Sequence, residues 1–273
     1  MFNEDKEMNK SQHAFKELEF TVDMTESNKM MNRIIDELNQ DSPSRVINKI
    51  INTPHLWLPQ FDVVKRQVEE IYTGKISSIV PHIIYSERHE KPIAVLRGKE
   101  IMKYKTSRHY SIWLKMQDIH LKLISDNIIM KKIKPEDFNE FFSRNDLKEH
   151  TNFIKKALIH HFNKDFVSSV HILIPRLEGV LRDCIKLSGL DVLYKEKDGS
   201  WSEKSVSQLL DQTSGISKII DPNLTNYLRF FLARKLGDNN RNTVAHALLD
   251  ESKFNDVFSL RLILLLIIFY NPK

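Results

Sequence analysis

The chain has 273 residues, 41 Lys and Arg against 36 Asp and Glu, seven Gly, nine Pro and one cysteine. That length carries one large or two modest domains around a buried core, and two are expected. So few Gly and Pro, with apolar residues recurring every three or four positions, favour an all-α protein. Cys184, as the lone cysteine, excludes an intrachain disulfide framework and any CxxC metal knuckle, and fits a reducing compartment.

The first 27 residues hold three Lys against seven Asp and Glu, a net of −4, and leave +9 for the remainder of a chain whose total is +5. A mild basic excess permits contact with nucleic acid without requiring it. Residues 1–27 read as a mobile acidic arm with no apolar h-region, so a cytoplasmic protein is expected.

A mainly helical N-terminal region is expected over residues 28–148. Met31, Ile34, Ile35 and Leu38 mark one amphipathic helix, and Asp41-Ser42-Pro43 stops it and starts a second through Val46, Ile47 and Ile50. Phe61, Val64, Val68 and Ile71 form a third stripe, ending at a C-cap glycine, Gly74. The segment from Ile76 to Arg97 is irregular and reads either as two short strands or as a buried loop. Helical spacing returns from Ile112 to Ile124 and breaks at Lys134-Pro135. Polar residues gather at 144–150, where the boundary to a third region, 149–273, is placed.

In that region a long helix is expected from about Asp165 to Leu187. Its apolar positions Phe166, Val170, Leu173, Leu177, Leu181 and Cys184 step by four, three, four, four and three, a core seam, and Pro175 inside the helix is expected to bend it. Asp221-Pro222 is an N-cap followed by proline at the first helical position. The run from Leu262 to Tyr270 covers nine apolar residues, where a bilayer span needs about twenty, so it reads as a core or interface helix and no membrane association is expected.

Between these helices lies Arg241-Asn242-Thr243-Val244-Ala245-His246, preceded by the turn signal Leu236-Gly237-Asp238-Asn239-Asn240. Short side chains of that cluster can cap a helix, which places Arg241 and Asn242 near its positive end. Asn242 and His246, four apart, share a face, and the long stem of Arg241 can bend towards it. An always-charged guanidinium and an imidazole that titrates near neutrality are what an in-line attack on a phosphodiester needs. Glu178 and Arg182, also four apart, read either as a surface ion pair or as a strip facing the motif, with Glu178 orienting Arg241 or His246 and Arg182 contacting phosphate. His160-His161 points its rings about 100° apart and has no ligand partner at a useful spacing, so no metal site is expected. No P-loop, GxGxxG, GxSxG or HExxH pattern is present, and no cofactor is expected.

The motif, with its glycine-led turn and the helix carrying Glu178 and Arg182, resembles the HEPN superfamily, and within it the branch marked by RNxxxHG. The resemblance covers about residues 150–271. It implies a C-terminal antiparallel helical bundle that dimerises, with Arg241, Asn242 and His246 as a ribonuclease site, RNA as partner, and a toxin or phage-defence role with an antitoxin or sensor partner. The alternative it leaves open is a non-catalytic scaffold binding RNA, a nucleotide or a protein. Where the branch has Gly after the His, this chain has Ala247, and alanine is expected to continue the helix through Leu248 and Leu249.

Overall fold

The computed structural model describes residues 25–76, 79–85, 92–211, 214–216, 219–233 and 239–271. Most of the acidic arm and the Leu236-Gly237-Asp238 turn lie outside the described residues. Among the described residues the protein is all-α apart from two short hairpins. Its first half comprises α1 (Thr25–Gln40), α2 (Pro43–Asn52), α3 (Phe61–Tyr72), the strands β1 (His82–Tyr85) and β2 (Pro92–Leu96), and α4 (Lys99–Ile124), prolonged by a π turn at Ser125–Ile129. A 3-10 segment, Pro135–Phe142, leads to α5 (Lys148–Phe162) and α6 (Phe166–Leu187). After β3 (Leu193–Lys195) and β4 (Trp201–Glu203) come α7 (Val206–Leu209), α8 (Pro222–Leu228), α9 (Asn240–Ala245) and α10 (Asp256–Tyr270).

Of the two readings for 76–97, the strands are the one adopted. Ile83 pairs with Val95 and Ile84 with Ala94 in an antiparallel hairpin, and Ile83 and Val95 stay about half exposed, at 52% and 51%. The polar link through Asp198-Gly199-Ser200 is a second hairpin turn, with Leu193 opposite Glu203 and Gly199 at φ 90°.

The local signals in the second half act as their chemistry dictates. The Asp165 carboxylate accepts the Ser168 N–H at 3.1 Å and starts α6; Gly189, at φ 77°, ends it. Asp221 accepts the N–H groups of Asn223 and Leu224 at 2.8 and 3.1 Å to start α8. Within α6 the seam from Val170 to Leu181 is fully buried, and Pro175, inside the helix, faces solvent.

Helices α5, α6 and α10 form the centre. The Ser169 hydroxyl, at the start of α6, bonds the Ala157 carbonyl near the end of α5, so these two run antiparallel. Ser169 also meets Ser259 at the start of α10, while Cys184 lies by the Phe269 carbonyl at the far end, so α6 and α10 run the same way. The intervening hairpin and short helices return the chain to make that possible. Helix α10 is buried on nearly every side, which is why it is apolar around its whole circumference. No helix among the described residues is long and apolar enough to cross a membrane.

One apolar core runs from Met31 to Tyr270 and crosses the position 148/149. Polar ties cross it as well, among them two clusters at α10. Arg261 of α10, 2% exposed, donates to the Trp57 carbonyl at 2.6 Å and pairs with Asp118 of α4. Lys122 and Ser125 both reach the Asp256 carboxylate, at 3.0 and 2.8 Å.

His161 is sealed in this core with no exposure. Because Ser169 donates to Ala157, Ser259 donates to Ser169 at 2.8 Å, and the His161 Nδ1–H therefore donates to Ser259 at 2.9 Å. That order fixes the tautomer and leaves Nε2 as a bare lone pair, buried without a hydrogen bond. Burial pushes the imidazole down to about 4, with Asp256 opposing the shift.

Candidate functional site

The motif forms the six-residue helix α9, and its entry differs from the expected side-chain cap. Asn239 has φ 50°, in the left-handed region, and its side chain makes no bond to the first-turn N–H groups. A capping side chain is aimed by an extended backbone at that position, which Asn239 lacks. Its carbonyl instead receives Asn242 and Thr243 N–H at 3.0 and 3.1 Å, and its Oδ1 receives the Asn242 amide at 3.0 Å.

The exit also differs. Helix α9 does not continue through Leu248; it stops at Ala245, and Ala247 takes φ 51°. The Ala247 N–H bonds the Val244 carbonyl at 3.1 Å, and the Leu248 N–H the Thr243 carbonyl at 2.7 Å, the two bonds of a Schellman cap. Gly189 and Leu190 close α6 with the same pair, to Lys186 and Ile185, at 3.0 and 3.2 Å. Alanine thus holds a glycine conformation, at a cost of about 1 kcal/mol, and the cap satisfies the Thr243 and Val244 carbonyls as the helix ends.

Arg241 bends away from its own helix towards α6. Its Nε donates to Glu178 Oε2 at 3.1 Å, and one terminal nitrogen to Asn242 Oδ1 at 3.0 Å. The other Glu178 oxygen takes Arg182 at 3.3 Å, and Arg182 Nε lies 3.5 Å from Glu203 on β4. Glu178 and Arg182 therefore pair along one helix, and Glu178 also holds the motif arginine. Glu178 and Arg182 are mostly covered, with side chains 19% and 16% exposed, while Arg241 is 45% exposed. One Arg182 nitrogen is buried without a hydrogen bond.

His246 is the C-cap residue of α9 and is exposed. Its imidazole has no hydrogen bond among the described residues, and its N–H bonds the Asn242 carbonyl at 3.0 Å, which sets the two side chains on one face. The site thus offers a held guanidinium with remaining N–H groups, a carboxamide and an open imidazole. That set can contact an anion and transfer a proton.

Two participants lie beyond what the motif signals. Asn239 was readable as a residue that tolerates positive φ and bonds locally. Glu203 reaches Arg182 only through the β3–β4 hairpin, which no spacing announces. Other polar side chains on neighbouring elements have partners of their own. His171 stacks on Phe254, with centroids 5.1 Å apart, and His160 meets Asp165 at 2.9 Å. Lys132 donates to the Leu38 and Asn39 carbonyls and so closes α1. No group of three His, Cys, Asp or Glu able to hold a metal occurs among the described residues. No protein-family model matches the chain, and neither a curated protein nor a solved structure is similar to it.

Proposed function

We propose that the protein is a metal-independent endoribonuclease of the HEPN kind, acting as a homodimer in which two motif helices flank one cleft. The observation that carries this reading is the contrast within α9: Arg241 is positioned from α6 by Glu178, while His246, one turn from Asn242, is exposed and uncommitted.

In the proposed reaction the RNA 2′-oxygen forms a bond to phosphorus as the bond to the 5′-oxygen breaks. One His246 takes the 2′ proton and the second copy's imidazole protonates the leaving oxygen. Arg241 neutralises charge developing on the non-bridging oxygens. Asn242 orients the scissile phosphate, and Glu178 and Arg182 hold the arginine and the approaching strand. The products are a 2′,3′-cyclic phosphate and a 5′-hydroxyl, so a 2′-deoxy linkage is not cut. In a cell such an enzyme fits a cytoplasmic toxin or phage-defence effector, with residues 28–148 sensing or restraining it through an antitoxin or other partner.

The test is RNA cleavage with chelator present. Wild type should yield new 5′-hydroxyl ends, and Arg241→Ala and His246→Ala should each lose about 100-fold or more. Equal cleavage by all three, or its abolition by chelator, defeats the proposal.

A second reading, a non-catalytic scaffold that binds RNA, a nucleotide or a protein partner, draws on the same contact seen from the other side. The Glu178 carboxylate offsets the Arg241 charge that phosphate would meet. Salt-sensitive RNA binding without new ends, retained in His246→Ala, would favour it.

A further inference from the structure

A cavity of about 710 Å³ lies at the seam between α2, the turn after it, the ends of α6 and α10, and the start of α8. Its size is in the range of about 300–1,000 Å³ usual for small-molecule sites. Apolar side chains, Ile51, Leu58, Ile219, Ile268 and Phe269, give it a wall for a hydrocarbon body.

Its polar atoms are unevenly engaged. The Asn48 amide donates to the Ser44 carbonyl, the Ser188 hydroxyl to Cys184, and the Asn271 amide to Phe141 and Ile267. Ser188 and Asn271 thus have their donors occupied and their oxygens left to accept, while Asn48 keeps its oxygen and one amide N–H. Arg144 has its Nε and one terminal nitrogen on Asp146 at 3.0 and 2.7 Å, and its other nitrogen on the Phe269 carbonyl at 2.9 Å. The lining carboxylate is Asp221, whose Oδ1 serves the two N–H groups that start α8, leaving Oδ2. Among the described residues His55, on the exposed rim, is the other basic side chain of the lining.

We propose that this cavity binds a small organic cation, a protonated amine on an apolar body. An ammonium donates to those acceptor oxygens and carries a charge opposite to Asp221, while its hydrocarbon part covers the aliphatic wall. An anion would face the Asp221 carboxylate, and the Arg144 charge is shared with Asp146. The site stands apart from the nuclease proposal, although Cys184 in its wall is only two residues along α6 from Arg182.

Cys184, the chain's one cysteine, gives a local readout. Full-length protein is titrated calorimetrically with phenethylammonium, with 2-phenylethanol as neutral analogue and phenylacetate as anionic one. Labelling of Cys184 by methyl methanethiosulfonate is followed in parallel. The amine should bind saturably, slow the labelling, and bind about tenfold more tightly than the alcohol, with phenylacetate weaker still. Asp221→Asn, which retains a side chain able to cap α8, should remove most of that preference. Absence of amine binding, equal binding of the three, unprotected Cys184, or an unchanged preference in Asp221→Asn would each overturn the assignment. Running the series in His246→Ala separates it from the nuclease reading, since its outcome should not change.

Discussion

Two histidines show how differently one side chain is used in the two main regions of this molecule. His161, at the meeting of α5, α6 and α10, has its proton assigned by a relay of two serines and a carbonyl, and its basicity is suppressed by burial. His246, at the end of a six-residue helix, touches solvent and has no such relay. The central layer therefore determines shape, and the motif helix is where chemistry is open to a ligand. An imidazole with a conspicuous environment can be the structural one.

The comparison breaks most readily at α10. Leu265→Ala, at a site with no exposure, should cost about 2–5 kcal/mol in urea unfolding, because the helix is enclosed and the cavity has little room to collapse. A smaller loss would mean that the central layer is looser than its burial implies. Acid provides the next probe. With His161 at about 4 in the folded protein and near 6.5 unfolded, the unfolded chain takes the proton first, so this contribution is complete above pH 6.5 and is lost as pH falls towards 4. The loss should approach about 3 kcal/mol, and His161→Gln should flatten that part of the pH profile. An unchanged slope would show that His161 does not govern it.

The motif end gives smaller effects. Ala247→Gly should stabilise by about 1 kcal/mol by relieving the left-handed alanine, read as a higher urea midpoint with unchanged slope. Destabilisation would argue against that backbone. His246→Ala should shift stability by no more than about 0.5 kcal/mol, since the side chain is exposed. A larger loss would assign His246 to the structural class that His161 occupies.

Much of this architecture was readable wherever a local cause acts alone. The seam of α6 follows from side-chain spacing, and Asp165, Gly189 and Asp221-Pro222 mark helix ends by chemistry within four residues. The pair of Glu178 and Arg182 was visible at i and i+4, but its hold on Arg241 spans 63 positions and depends on how α9 docks. Ala247 was misread because intrinsic preference favours helix there, whereas the observed conformation is imposed by two backbone bonds that close together. The β3–β4 hairpin went unnoticed because three-residue strands carry too little alternation to read.

Arg261 has a practical consequence for dissecting the chain. It belongs to α10, yet the carbonyl and carboxylate that satisfy it come from Trp57 and Asp118, well upstream of residue 149. A fragment cut at 149 would strip the buried guanidinium of both, leaving it Tyr227, and would bare an apolar flank, so excising the motif region for assay invites aggregation, and only the intact polypeptide is suited to testing what α9 does.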